Sequence, residues 1–237
     1  MSSERETGIR VGQVAVPGDV VGEVDSAVRV GYGLLQDGGV VKATKAGVVR
    51  GVGVGESGMM YWVDAAQKRY VPARGDLVVG TVVGRHGENY AVDVGCAAQA
   101  GLPLLGFEGA TKRNRPALEV GDLVYGRVVL ADKDMDPEMV CTDARGKAAG
   151  FGPLEGGYLV DVSLPLVSRL FDPDAAVLAA LGKRLPYEVA LGINGKVWIH
   201  AASPLHTILI ANAILNSEFL NDTEVHVMVE RLLAKLK

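Results

Sequence analysis

A short basic run is the first feature of the sequence that could do chemistry. It consists of Lys112, Arg113, Asn114 and Arg115, and it falls between two predicted strands. Closely spaced cations beside an amide can contact several phosphates of a nucleic acid backbone. The same composition would suit a solvated loop or a loop that binds an acidic protein, and the sequence leaves these alternatives open. We predict Lys112, Arg113 and Arg115 as candidate RNA-contacting residues.

A second candidate is the glycine pair of residues 192–195, which read Gly-Ile-Asn-Gly. KH domains clamp a nucleic acid backbone with such a GxxG loop, but that loop joins two helices. Here the motif separates two predicted strands, and Asn-Gly is typical of a tight hairpin. The segment between the predicted helices, residues 171–174, is acidic and would repel phosphate. We therefore predict a structural hairpin built on Gly192, Asn194, Gly195 and the nearby Trp198.

The sequence contains none of the catalytic patterns that were sought. The four histidines show no HxxxH or HExxH spacing, and GxSxG, Walker and dinucleotide-binding motifs are missing. An acidic run from Asp132 to Glu138 lacks the glycine and the final glutamate of an EF-hand loop. Cys96 and Cys141 form no CxxC pair. We predict a protein that is not an enzyme and that has no metal site and no cofactor.

Composition limits the class of protein. The 237 residues are 49% hydrophobic and 22% charged, with a net charge of −4, which is ordinary for a folded chain. None of the three segments defined below carries a net positive charge, so any RNA contact must be local. Aromatic residues make up only 5%, which argues against a platform that stacks several bases. No apolar stretch is long enough to span a membrane, and residues 1–10 do not resemble a secretory signal, so we expect an intracellular protein with no membrane partner.

The elements that must position these residues begin at a recurring pattern. Gly-Asp followed by a β-branched run with an internal glycine starts at Gly18, Gly75 and Gly121. Gly-Asp favours a turn, and a glycine inside a strand is typical of a bend at the corner of a small barrel. Residues 1–70 show short strands and glycine turns. Residues 71–145 show five strands at the spacing of an OB-fold barrel.

The pattern changes in residues 146–237. A strand, two short helices, two strands and an apolar helix follow in the order β-α-α-β-β-α, with a further helix at the end. That is the order of a eukaryotic-type KH domain. We predict a multidomain β plus α+β chain: an amino-terminal barrel-sandwich domain (1–70), an S1-type OB-fold RNA-binding domain (71–145) and a KH-type domain (146–237).

Three segments resemble a known family. Residues 107–116, 131–141 and 192–198 closely resemble the S1- and KH-containing cap subunits of the eukaryotic RNA exosome, the ribosomal RNA-processing protein 40 family. The resemblance spans about residues 14–237. It implies a non-catalytic RNA-binding scaffold in the 3'–5' processing and degradation of RNA, including ribosomal RNA. The implied partners are a ring of ribonuclease PH-like subunits, the other cap subunits and the RNA substrate. The implied location is the cytoplasm and the nucleus, including the nucleolus.

The resemblance also implies roles for the domains. The amino-terminal domain would dock on the ring, and the Gly-Ile-Asn-Gly hairpin with Trp198 would hold the KH domain against the S1 barrel. Two alternatives remain, a sister cap subunit of the exosome and a free-standing S1/KH RNA-binding protein.

Overall fold

The computed structural model describes residues 9–24, 28–54, 58–65, 67–114, 116–132, 134–172 and 175–234. The chain divides into two compact units, one ending at Gln67 and the other beginning at Lys68. The strands of the first unit are β1 (Val14–Ala15), β2 (Val20–Glu23), β3 (Val28–Val30), β4 (Leu34–Asp37), β5 (Val40–Ala43), β6 (Gly47–Val54) and β7 (Gly58–Asp64).

The first unit is built from two sheets that share one core. One sheet has the order β1-β6-β7-β3, in which β3 and β7 run parallel, and the other has the order β2-β5-β4. Alternate residues point inward, as the period of a strand requires. The buried set contains Ala15, Val41, Val49, Tyr61 and Val63, which come from both sheets.

The recurring Gly-Asp pattern forms the same turn at each of its three positions. The glycines have φ of 98° at Gly18, 99° at Gly75 and 104° at Gly121, a region that is open to glycine at little steric cost. Each following aspartate accepts a hydrogen bond from the backbone N–H three residues earlier, with distances of 2.9, 2.9 and 2.8 Å. The repeat is therefore a self-capped turn that starts a strand.

The glycine inside these strands has a different role in the barrel than the predicted bend. A Cβ at Gly80 would overlap Val92, and one at Gly126 would lie 2.6 Å from Met139 Cε. These glycines allow strands and core side chains to approach closely. The register shifts that bend the strands lie elsewhere, between Val82 and Gly84 and between Val128 and Leu130.

The second unit starts with the predicted five-stranded barrel. Its strands are β8 (Leu77–His86), β9 (Asn89–Asp93), β10 (Ala100–Pro103), β11 (Leu123–Leu130) and β12 (Glu138–Val140). The sheet closes because β12 pairs with both β10 and β11. Leu102, Met139, Val78 and Val92 fill the interior. A further strand that the sequence did not predict, β13 (Gly152–Leu154), pairs with the outer edge of β11.

The remaining elements follow the predicted β-α-α-β-β-α order. They are β14 (Tyr158–Asp161), α1 (Leu164–Leu170), α2 (Ala176–Gly182), β15 (Tyr187–Gly192), β16 (Lys196–Ala201), α3 (Pro204–Asn216) and α4 (Asp222–Ala234), with a 3-10 turn at Ser217–Phe219. The sheet order is β14-β16-β15, and the helices pack on one core with Leu181, Ile199, Ile210 and Ile214.

The predicted start signals of these helices have different outcomes. Ser203 caps α3 as expected, since its Oγ accepts a hydrogen bond from the N–H of Leu205 at 3.3 Å and Pro204 follows it. Pro173 and Asp174, predicted to start α2, lie outside the described residues. The N-cap of α2 is Ala175, which makes no side-chain capping bond. In the part of the chain that the structure describes, no helix is long and apolar enough to cross a membrane.

Candidate nucleic-acid interface and interdomain hairpin

The Gly-Ile-Asn-Gly segment lies at the junction of the barrel and the KH fold. It joins β15 to β16, which pair from Gly192–Lys196 outward. The backbone N–H of Ile193 donates to the carbonyl of Leu77 on β8 at 2.8 Å. The hairpin therefore makes a main-chain hydrogen bond to the first strand of the barrel.

Asn194 adds side-chain hydrogen bonds to the same contact. Its side-chain amide donates to the carbonyls of Val79 and Val94, both at 2.8 Å, and its Oδ1 accepts from the N–H of Val79 at 3.3 Å. The residue is only 7% exposed. A side-chain amide carries donors and an acceptor on one planar group, so it can satisfy both kinds of backbone group at once.

Both glycines of the hairpin occupy positions that exclude a side chain. A Cβ at Gly192 would lie 2.6 Å from the backbone nitrogen of Val79. Gly195 has φ of 81°, and a Cβ there would lie 2.6 Å from the carbonyl oxygen of Val162. The glycine pair thus permits close backbone packing here, while the chain between α1 and α2 contains no glycine pair.

Trp198 packs at the same junction from the opposite face of β16. Its neighbours Val197 and Ile199 point into the KH core, whereas Trp198 is grouped with Val79 of β8 and Ala190 of β15. It is 5% exposed, and its Nε1 donates to the carbonyl of Gly156 at 2.9 Å. Burial of an indole with its N–H satisfied is the arrangement that stabilises such a seam.

The basic run is held in a defined loop between β10 and β11. The N–H of Thr111 donates to the carbonyl of Asn114 at 2.8 Å, and the N–H of Asn114 donates to Thr111 Oγ1 at 3.1 Å. Lys112 and Arg113 are exposed and have no ion-pair partner among the described residues. Arg115 lies outside those residues. Two cations are therefore presented to solvent by a turn that is already closed.

A second contact fixes the start of this loop. Glu108 Oε2 accepts a hydrogen bond from the N–H of Ala148 at 2.7 Å, which ties the loop to a segment far along the chain. The sequence did not predict this tether, because one glutamate in a loop gives no sign of a backbone donor elsewhere.

The outer face of β9 and β10 is where OB folds commonly bind oligonucleotides. A cleft of about 290 Å³ lies there, and its lining includes Asn89, Gln99, Asp136 and Glu138 with His86 at one side. The lining contains two carboxylates and no lysine or arginine. Those carboxylates disfavour a phosphate backbone, so the basic loop is the better candidate for RNA contact.

Potential catalytic side chains are separated and differently engaged. The Cys141 thiol is buried, and burial raises its pKa to about 12, so it is protonated at neutral pH. His200 stacks on Trp198 with ring centroids 5.8 Å apart. Among the described residues, no three His, Cys, Asp or Glu side chains group in a way that could hold a metal ion.

The fold and this junction define a class of protein with S1 and KH domains. The family model described as the S1 domain of exosome complex component RRP40 matches residues 70–152, and a KH domain model matches residues 157–205. A crystal structure described as a candidate exosome complex RNA-binding protein has the same fold, with a TM-score of 0.60 at 20% identity, and covers 72% of this chain and 100% of that one.

Individual relatives define the family more closely. Exosome complex component RRP40 of Homo sapiens is 43% identical over 87% of this chain and 77% of the human one. The Schizosaccharomyces pombe component rrp40 is 40% identical over 93% of this chain and 92% of its own, and the Saccharomyces cerevisiae RRP40 is 35% identical over 83% and 84%. The chain belongs to the RRP40 family of exosome complex components.

Proposed function

We propose that this chain is a non-catalytic cap and scaffold subunit of an RNA exosome. One observation carries the proposal: relatives named exosome complex component RRP40 match the chain at 35–46% identity over most of its length. A protein named Rrp4, from Pyrococcus furiosus, is only 23% identical over 87% of the chain. That difference favours the RRP40 role over a sister cap.

Each part of the chain has a place in this proposal. The amino-terminal unit docks on a ring of ribonuclease PH-like subunits, and the S1 and KH domains stand with the other caps above the ring. The subunit binds RNA and guides it towards the pore for 3'–5' processing and degradation. Catalysis belongs to other subunits, in keeping with a sequence that lacks the catalytic motifs that were sought. We expect the assembly in the cytoplasm and the nucleus, including the nucleolus.

RNA contact in this proposal rests on the loop that carries Lys112, Arg113 and Arg115. The turn between Thr111 and Asn114 and the bond from Ala148 to Glu108 support it, because they fix the loop before RNA arrives. A prearranged loop loses less conformational entropy on binding. The acidic cleft over β9 and β10 supports the same choice, since phosphate is disfavoured there.

The hairpin has a mechanical role in the proposal. Asn194 and Trp198 join the KH domain to the S1 barrel, and neither contacts RNA. Their hydrogen bonds are already made to backbone groups of the chain. The two domains then act as one piece when the subunit is seated.

Affinity purification of the tagged chain, followed by identification of the co-purifying proteins, tests the proposal. Ring subunits of the ribonuclease PH type and other caps should co-purify in comparable amounts. The purified chain alone should bind RNA weakly and should not cleave labelled RNA, with or without magnesium. Recovery of the chain without such subunits, or cleavage abolished by one substitution in this chain, would contradict the scaffold role.

A further inference from the structure

The four-stranded sheet of the first unit leaves one face uncovered. Register places its outward residues in three rows. The first row is Val14, Val48 and Asp64; the second is Arg50 and Trp62; the third is Val52, Met60 and Arg29. Directly opposed residues lie about 5 Å apart on one face of a sheet, so the rows form one continuous patch. We call these eight residues the amino-terminal face.

The middle of this face is apolar and open. Val14 is 75% exposed, Val52 is 50% exposed and Met60 is 39% exposed. Val48 and Trp62 lie between them and are half-buried. A contiguous exposed apolar patch on a folded domain marks an interaction surface, and tryptophan and methionine are enriched in the centre of such surfaces.

Two arginines flank the apolar middle. Arg50 lies 3.7 Å from Asp64 with both side chains more than half exposed, so that ion pair is weakly held. Arg29 has no ion-pair partner within the described part of the chain. A partner that buries this face must therefore offer carboxylates at its edge, because a desolvated arginine without a partner is costly.

The three-stranded sheet of the same unit offers a natural comparison. Its outward face also carries two exposed aliphatic residues, Val20 (59%) and Leu35 (55%). Both stand opposite Lys42, whose Nζ lies 2.6 Å from Asp37. This second face is thus interrupted by an ion pair and lacks an aromatic residue.

We infer that the amino-terminal face is the centre of the contact between this subunit and the ring, and that it takes a ring-subunit surface with an apolar middle and an acidic edge. The inference rests on the proposed function and specifies which sheet makes the contact and with what chemistry. Eight residues are fewer than the roughly 20–30 of a standard interface, so the face supplies the centre and not the whole area.

The test measures binding of the full chain to a reconstituted ring that carries the other caps but lacks this subunit. The double variant Val52→Ser with Met60→Ser should bind at least about tenfold more weakly, because central apolar side chains dominate such contacts. The matched control is Val20→Ser with Leu35→Ser, which removes a similar pair from the other sheet and should bind within about twofold of the unaltered chain. All four side chains are exposed, so both variants should keep the melting temperature of the unaltered chain.

A third variant tests the acidic edge. Arg29→Gln should make binding less sensitive to salt, since one charge pair is lost. An unchanged salt dependence would overturn the acidic partner. Equal binding by Val52→Ser with Met60→Ser, or an equal loss in the control, would overturn the choice of face while the proposed function stands. Failure of the unaltered chain to bind the ring would overturn both.

Discussion

Asn194 commits its whole side-chain amide to the backbone of the neighbouring barrel. Asn194→Ala would leave the carbonyls of Val79 and Val94 and the N–H of Val79 without these partners in a buried place. Each unsatisfied buried group costs about 1–3 kcal/mol, so we expect a loss of at least 2 kcal/mol, on the order of two such groups, in the free energy of unfolding. Urea titration measures it.

The control for this substitution is Asn216→Ala at the exposed end of α3, which should change stability by less than about 0.5 kcal/mol. Equal stabilities for the two alanine variants would show that the bonds of Asn194 do not hold the domains together.

Trp198 tests the apolar part of the same junction. Trp198→Ala should cost about 3–5 kcal/mol, because a buried indole is replaced by a cavity. Trp198→Phe keeps most of the ring and loses the bond to Gly156, so it should cost much less. We expect low abundance and poor assembly for the alanine variant, with residual complexes that bind RNA normally. A variant with the original melting temperature and assembly but weaker RNA binding would make this hairpin an RNA surface instead.

Tyr70 links stability to pH. Burial and the hydrogen bond from its hydroxyl to Asp76 Oδ2, 2.6 Å long, raise the pKa of Tyr70 above its ordinary value. An unfolded tyrosine loses its proton near pH 10, roughly its unperturbed pKa, while the folded one keeps it. The unfolded state therefore gains as pH rises past that point, and stability from this group is present below it and lost above it.

The measurement for Tyr70 is the free energy of unfolding between neutral pH and pH values above 10, roughly the unperturbed tyrosine pKa. Burial also raises the pKa of Tyr125 and Tyr187, so the unaltered chain should lose stability through all three. Tyr70→Phe should reduce the slope in the alkaline range. A slope identical to that of the unaltered chain would contradict the role of this hydroxyl.

The residue scale also shows what the sequence could predict. Asn-Gly between two β-branched runs indicates a hairpin, and the alternation around Trp198 places it opposite Val197 and Ile199. The partners of Asn194 could not be predicted, because they are backbone groups, and every residue carries the same ones. Register between distant strands is needed to place Val79 beside residue 194.

At the scale of elements, the β10–β11 loop is the part proposed to contact RNA. Replacing Lys112, Arg113 and Arg115 by alanine in the assembled complex should weaken RNA binding and lower its salt slope by up to about 3 phosphate contacts. Assembly should be preserved, because the turn from Thr111 to Asn114 does not use these side chains.

A matched variant separates local contact from overall charge. Alanine at Arg74, Lys183 and Arg184 removes the same number of exposed cations elsewhere and should leave the salt slope unchanged. The same loss of slope in both variants would mean that the loop acts only through net charge. No loss in either would make it a protein contact or an idle loop.

Turn chemistry was the most predictable part of the elements. The Gly-Asp pattern predicted strand starts at Asp19, Asp76 and Asp122, and each has the same capped turn. The glycines inside the strands were misread as bends, because a sequence does not show which strand will cross beside them. The strands β4 and β13 were not predicted, since Leu-Leu-Gln-Asp and Gly-Pro-Leu lack the β-branched residues that mark strands.

At the scale of the whole molecule, the order of elements predicted the S1-plus-KH architecture, since a five-strand pattern followed by β-α-α-β-β-α fits few other folds. The sheet pairing of residues 9–65 could not be read in the same way. Its strands are short and glycine-rich, and parallel pairing of β3 with β7 depends on residues brought together only by the fold. The outward rows of the amino-terminal face became visible only with that register.

Native mass spectrometry of a reconstituted assembly tests the scaffold role most directly. The ring subunits, the other caps and the associated nuclease are mixed with and without this chain, and RNA degradation is followed in the same samples. We predict that adding the chain yields a complex with one copy of it, raises the fraction of intact ring and restores full RNA threading, while degradation still depends on the nuclease subunit. An intact, fully active assembly that forms equally well without the chain would contradict the account.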